Sequence, residues 1–572
     1  MKPKRHPPAA ADAGFFCAFE KRHVFGAVAA AGFVWCIGAP AAQAADSRLP
    51  DGNRTAQPGH VTVPKSAKPG ADVPIRSSPR LPPLAPSASL TADDARYLLT
   101  RTGYAPDSRE LAPFVGLTRA QAVDRLLSQT RCTAVTPPPV WSGEPPLDGA
   151  PARTKTADER REVNERRNRM AASLSAWWAQ EMATTPSPLT ERMTMFWHNH
   201  FVSSDDKVRE PIVLYRQNVL LRANALGNFG QMLHDVSKDP AMLIYLDGAG
   251  SRKGRPNENF AREVMELFTL GEGHYTEQDV REAARAYTGW SIDRASMTYL
   301  WRANVHDTGA KTVLNQTGDF DGDQVLDILL ARPETATFVV GKLWREFVSP
   351  TPDPAQVGRI ASAFRASGYD IKVAMRALLL TPAFWDMQTR GTLVKSPSEF
   401  VTDTVRAFDI GYDDPQMLAQ QMRVLGQDLF RPPNVKGWPG GETWIDSTTL
   451  LARKQFVERM FRATENANAG GPSTMLSPSM SQMPTAPTRE RVQRVALRPG
   501  QPMPRTVAGV RFDLSRWLQP YALGPVDVPD EASREALQRS VLPFAPAAPQ
   551  AVGVSSAAYL QALLMDPAYQ LK

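Results

Sequence analysis

Residues 256–271 read Pro256-Asn-Glu-Asn-Phe-Ala-Arg-Glu-Val-Met-Glu-Leu-Phe-Thr-Leu-Gly271. Pro256-Asn257 supplies turn chemistry and a capping side chain, so a helix over Asn257–Leu270 is expected. Phe260, Ala261, Val264, Leu267 and Phe268 recur at helical spacing and make one apolar stripe. Asn259, Glu263 and Glu266 stand at i, i+4 and i+7 on a ridge bordering that stripe. Two carboxylates and an amide on one ridge suit a metal ion or general acid–base work. The same residues also suit a solvated face beside Glu258 and Arg262.

Upstream lies Phe196-Trp-His-Asn-His-Phe201. On a helix turning about 100° per residue, His200 falls within the stripe of Leu189, Met193, Phe196, Trp197 and Phe201. His198 points the other way with Glu191 and is expected to be exposed or rim-facing. The two histidines therefore cannot chelate one ion from a regular helix. His200 is either a hydrogen-bonded core histidine or an acid–base or ligand-binding group.

Downstream, Thr276-Glu-Gln-Asp279 starts a helix that Gly289 stops. Arg281 and Arg285 share a face of it. They can hold Glu263 or Glu266, grip an anionic ligand, or form ordinary ion pairs between helices. His306-Asp307 sits in a polar loop and is a further catalytic candidate. Asp319, Asp321 and Asp323 resemble a calcium loop, but the glycine is misplaced and Leu330 stands where a bidentate Glu belongs. Asp323 also suits the cap of a helix over Gln324–Ala331. Trp438 and Trp444, in an irregular Pro/Gly-rich loop, either floor a pocket for a ring such as a sugar or plug the helical core.

Helical periodicity fills most of the rest, with strand-like alternation confined to Met297–Trp301. The expected fold is mostly α: a multi-helix globular domain with irregular Pro/Gly-rich loops. Residues 1–44 read as an export signal, with Lys21-Arg22-His23 before an apolar stretch and Ala42-Gln43-Ala44 at the cleavage site. The apolar stretch is too short for a comfortable membrane span.

Residues 45–89 are expected to form a Pro-rich disordered tether, and 90–468 the helical core domain with a Pro-rich insertion at 133–156. Residues 469–507 are a low-complexity insertion, and 508–572 a helical segment of the same domain. Cleavage after Ala44 leaves Cys132 as the sole cysteine, which predicts no internal disulfide. It also removes five Lys/Arg and two Asp/Glu, lowering the formal charge from +7 to +4. That balance is too mild for nucleic-acid binding. No later segment has the apolar length of a transmembrane helix.

The nucleophile elbow Gly-x-Ser-x-Gly, the phosphate loop and the dinucleotide fingerprint are all absent from the sequence. Phe196–Phe201, Asp239-Pro-Ala-Met-Leu243, Asn257–Glu263, Glu266–Gly271, Ala284–Trp290 and Arg431–Trp438 together resemble the signature blocks of the bacterial family called domain of unknown function 1800. That resemblance implies an exported, largely helical protein. It also implies an exported partner from the family called domain of unknown function 1501, which resembles alkaline phosphatases and sulfatases. It supplies no catalytic residues. Two functions stay open: a metal-assisted hydrolase using a divalent ion, with a glutamate as general base, or a non-catalytic partner of an exported enzyme.

Overall fold

Short polar side chains start many of the helices. Thr91, Thr118, Thr156, Thr276 and Ser396 each close a capping box with the residue three positions on, satisfying amide groups that the first helical turn leaves free. The computed structural model describes residues 89–147, 156–469 and 509–572, with backbone only for 463–469. The expected signal at 1–44, nearly all of the expected tether at 45–89, residues 148–155 and nearly all of the expected insertion at 469–507 lie outside the described residues.

The architecture is mostly α. Apolar side chains gather into two cores. One is built around the helices Pro188–His200, Phe229–Ser237, Pro333–Phe347 and Ile371–Leu379. The other unites Ala157–Thr184, Pro397–Ala407, Gln416–Val424 and Ser556–Met565. The Pro188–His200 helix lies between them, with Met193 and Trp197 in the first core and Met195 packed against the second. Among the described residues no helix is long and apolar enough to cross a membrane.

Three expectations change. The helix expected over Asn257–Leu270 is α-helical only for Glu258–Glu263 and continues as a π-helix over Val264–Thr269. Sequence period does not separate these forms, because one wider turn leaves the apolar pattern nearly intact.

The strand expected at Met297–Trp301 begins at Thr298, and Met297 occupies the preceding turn with φ +50°. Thr298–Trp301 pairs antiparallel with Trp290–Asp293. Two further short pairs join Lys311–Val313 to Gln316–Gly318 and Gly411–Tyr412 to Val510–Arg511. Strands of two to four residues carry too few alternations to be read from sequence.

The cap of the Gly322–Ala331 helix is Asp321, not Asp323. The expectation of no internal disulfide concerns the chain after removal of residues 1–44, and the two other cysteines, Cys17 and Cys36, lie outside the described residues.

Part of the Pro-rich insertion is packed. Val135 and Thr136 donate their backbone N–H groups to the buried Glu181 carboxylate, and Trp141 Nε1 donates to Ser173. These contacts hold this part of the insertion against the Ala157–Thr184 helix.

Candidate functional site

A cavity of about 840 Å3, open to solvent on one side, lies beside the Pro188–His200 helix. Its lining includes Phe196, Asn199 and His200 from the Pro188–His200 helix, and Lys342, Arg345 and Glu346 from Pro333–Phe347. The Arg431–Trp444 loop contributes Lys436, Trp438 and Trp444. Two sequence blocks separated by more than two hundred residues thus share one wall.

The loop is fastened to the helix by Asn199. Its side-chain amide donates to the Trp438 carbonyl at 3.1 Å, and its oxygen accepts the Trp438 N–H at 2.7 Å. Gly437 adopts φ +80° beneath this clamp, and a Cβ there would collide with Asn199 Oδ1. Glycine alone meets both demands without strain. Trp438 and Trp444 are largely buried, so they seal the wall more than they present open faces to a ring.

His200 is buried in a ring of aromatic side chains, including Phe196, Phe201, Phe229, Phe268 and Phe338. Its Nε2 lies 3.1 Å from the Phe268 carbonyl, and its Nδ1 lies 3.0 Å from Lys342 Nζ. A carbonyl only accepts, so Nε2 carries the hydrogen and Nδ1 accepts from Lys342. Burial and the nearby Lys342 charge hold His200 well below its usual pKa, against a weaker opposing effect of the Phe268 bond. It therefore stays neutral.

Lys342 was not singled out from sequence. Burial, helped by Arg345, lowers its pKa to about 8. A signal existed in Lys342-Leu-Trp-Arg345-Glu346, where a lysine interrupts a buried helical face.

Glu346 follows Lys342 by one helical turn. Arg192 holds it at 2.5 Å and also pairs with Glu399, while Lys572 pairs with Glu399. Glu399 is largely buried and also accepts from the Ser396 N–H as part of a capping box. Glu346 is the more open of the two carboxylates, with 35 % of its side chain exposed.

The other expected site residues lie elsewhere. Asn259 donates weakly to the Leu246 carbonyl at 3.5 Å. Glu263 is half-buried, and its pKa is raised by burial and then by Glu266. Glu266 accepts from Tyr275 at 2.8 Å and meets Lys436 at 3.7 Å, so it touches the cavity only through that lysine. Neither Arg281 nor Arg285 holds these glutamates. Arg281 bonds Gln278, and Arg285 pairs with Glu282 and with Asp307 at 2.9 Å. That Arg285 bond is the main reason the Asp307 pKa falls to about 2. His306 Nδ1 bonds the Thr288 carbonyl at 2.7 Å, and neither His306 nor Asp307 lines the cavity.

His198 is buried rather than exposed or rim-facing, against Trp178, Phe430 and Trp438, and burial lowers its pKa to about 4. The helix has cores on both sides, so a position opposite one stripe is still interior.

The residues proposed for a metal do not converge. Asp319 pairs with Lys311, Asp321 caps its helix, and Asp323 binds His234 and Lys238. Among the described residues no group of three or more His, Cys, Asp or Glu side chains is placed to hold a metal ion.

The fold and cavity define a two-core helical protein with a cation-rich cavity beside the helix that lies between its cores. A family profile described as Protein of unknown function (DUF1800) matches residues 97–571, and the chain belongs to that family. No curated protein and no solved structure matches it.

Proposed function

We propose that the protein is an exported hydrolase whose reaction takes place in the cavity, with Lys342 as general acid and Glu346 as general base. The carrying observation is the Lys342–His200 bond at the cavity wall. Residues four apart on a helix have Cβ atoms about 5–6 Å apart on one face. Lys342 and Glu346 can therefore flank one scissile bond.

With a pKa of about 8, Lys342 is mainly an ammonium at neutral pH, a state suited to protonating a leaving oxygen. In the reaction a water molecule attacks the scissile centre and gives a proton to Glu346. The leaving oxygen takes a proton from Lys342, and exchange with solvent restores both groups. His200 aims the Lys342 amine through Nδ1, and Arg192 orients Glu346. A glutamate is thus the general base, but it is neither Glu263 nor Glu266. This arrangement names no divalent ion, since the candidate ligands are dispersed.

The test has two parts. Competitive acetylation with peptide mass spectrometry reads the titration of Lys342, expected near pH 8. A midpoint at the ordinary lysine value near 10.5 would remove the proposed acid. Hydrolysis of aryl ester, aryl phosphate and aryl glycoside panels is then compared among the parent, Glu346→Gln and Lys342→Met. A loss of at least about 100-fold in both variants, with circular dichroism unchanged, is expected.

A second reading is a non-catalytic partner of an exported enzyme, such as one from the domain of unknown function 1501 family. The Arg192–Glu399–Lys572 ion pairs favour it, because they lock much of the cavity wall internally. An inactive protein that copurifies in stoichiometric amount with such an enzyme from its own bacterium would select this reading. Export itself is tested by sequencing the amino terminus of the protein recovered outside the cytoplasm, expected at Ala45.

A further inference from the structure

We infer that the substrate carries an acidic group, seated at Arg345 beside Lys342. The cavity wall bears Arg192, Lys342, Arg345, Lys436 and Lys572 against Glu346, Glu399 and Glu442. Arg192 and Lys572 are matched to Glu346 and Glu399, and Lys436 reaches out to Glu272 and Glu266. Lys342 and Arg345 have no carboxylate within ion-pair distance among the described residues. They stand three positions apart on the Pro333–Phe347 helix, close enough to share one ligand.

Two unmatched cations side by side repel each other, and Arg345 accordingly disfavours the charge on Lys342. An anion between them removes that repulsion and makes charge-assisted hydrogen bonds to the guanidinium. A carboxylate, phosphate or sulfate serves equally. The cavity volume lies within the range for small-molecule sites, so it accommodates the acidic group together with the bond to be cleaved. A neutral analogue would leave both cations unpaired.

This assignment names the substrate class of the proposed hydrolase and rests on the cavity being its site. The binding step is measured separately from hydrolysis by using Glu346→Gln protein. The probes are inorganic phosphate, sulfate and glucuronate, with glucose as the neutral control. The readouts are titration calorimetry and protection of Lys342 from acetylation. At least one anion is expected to bind and protect Lys342, glucose to do neither, and Arg345→Gln to weaken anion binding at least tenfold. Arg345→Lys should retain part of the affinity, and Arg345→Glu none.

Glucose binding as well as glucuronate would overturn the inference. So would an affinity unchanged in Arg345→Gln, or no protection of Lys342 by any anion. Anion binding that persists in a protein with no hydrolytic activity would instead defeat the hydrolase reading and leave the anion site standing.

Discussion

His200 donates its Nε2–H to the carbonyl of Phe268 at 3.1 Å, and Phe268 lies in the π-helical turn Val264–Thr269. Carbonyls in a last helical turn lack partners within the helix, and this one is supplied by a histidine from another helix. The bond fixes the His200 tautomer and thereby directs Nδ1 at Lys342. His200→Ala should strand the Phe268 carbonyl, empty an aromatic pocket and release Lys342. We expect a loss of about 2–4 kcal/mol in urea unfolding. A loss below about 1 kcal/mol would show that the bond contributes little.

The Lys342 environment makes a second prediction, for stability against pH. Its folded pKa, about 8, lies below the ordinary 10.5, so between these values the unfolded chain binds more protons. Stability should therefore rise from pH 8 to 10.5 by roughly 3 kcal/mol from this group, an upper bound if the cavity admits water. Below pH 8 the full cost of the buried charge is present. In Lys342→Met this rise should vanish and stability at pH 7 should increase. Chemical unfolding at several pH values reads both effects, and an unchanged pH profile in the variant would refute the assignment.

Much of this architecture is written locally in the chain, and the rest depends on neighbours distant in sequence. Thr91, Thr118 and Thr276 announce their helices because capping needs only residues three positions apart. The apolar stripe of His200 is equally legible, and so is its burial. His198 misleads because helical period identifies one buried face, whereas the Ala157–Thr184 helix and Phe430 cover the other. Glu263 and Glu266 draw notice through spacing, yet spacing cannot say which way a ridge faces. Lys342 passes unnoticed because its partner, His200, is 142 residues away.

Asn199 and Gly437 test the loop that closes the cavity. Gly437→Ala places a methyl against Asn199 Oδ1 at φ +80°, so it should displace the Trp438 backbone and break both clamp bonds. The expected cost is about 2 kcal/mol or more, from a left-handed conformation and a steric clash together. Asn199→Ala should lose the same bonds without the clash and cost less. Tryptophan emission near Trp438 and thermal unfolding distinguish the two. Equal stability of Gly437→Ala and the parent would show that the loop is free to shift.

A buried ion pair next to the helix offers an independent check on the interior. Arg222 grips Glu191 through two bonds at 2.6 and 2.9 Å, and Trp178 Nε1 donates to the same carboxylate. Arg222→Ala leaves a buried carboxylate without its cation and should cost about 3–5 kcal/mol. Combining Arg222→Met with Glu191→Gln removes both charges and keeps an acceptor for Trp178. It should recover most of the loss, as measured by urea unfolding of the double variant, its two single components and Arg222→Ala. Additive losses in the double variant would mean that packing, not charge, dominates at this position.

His234 provides a prediction in a different pH window. It bridges Asp323 at 2.9 Å and Asp327 at 3.1 Å, and the Asp323 bond is the first cause of its raised pKa. A histidine with a raised folded pKa stabilises fully below its unfolded value near 6.5, and that stabilisation fades as pH rises through the folded value. The parent protein should therefore gain stability from this group on going from pH 8 towards pH 6, by an amount limited by solvent screening. Asp323→Asn should pull the His234 titration midpoint down towards 6.5, because Asn cannot offer the imidazolium a charge. Lys238 shares the Asp323 carboxylate at 2.6 Å. Proton NMR of the imidazole ring follows the midpoint directly, and a midpoint that stays put in Asp323→Asn would assign the shift to Asp327 instead.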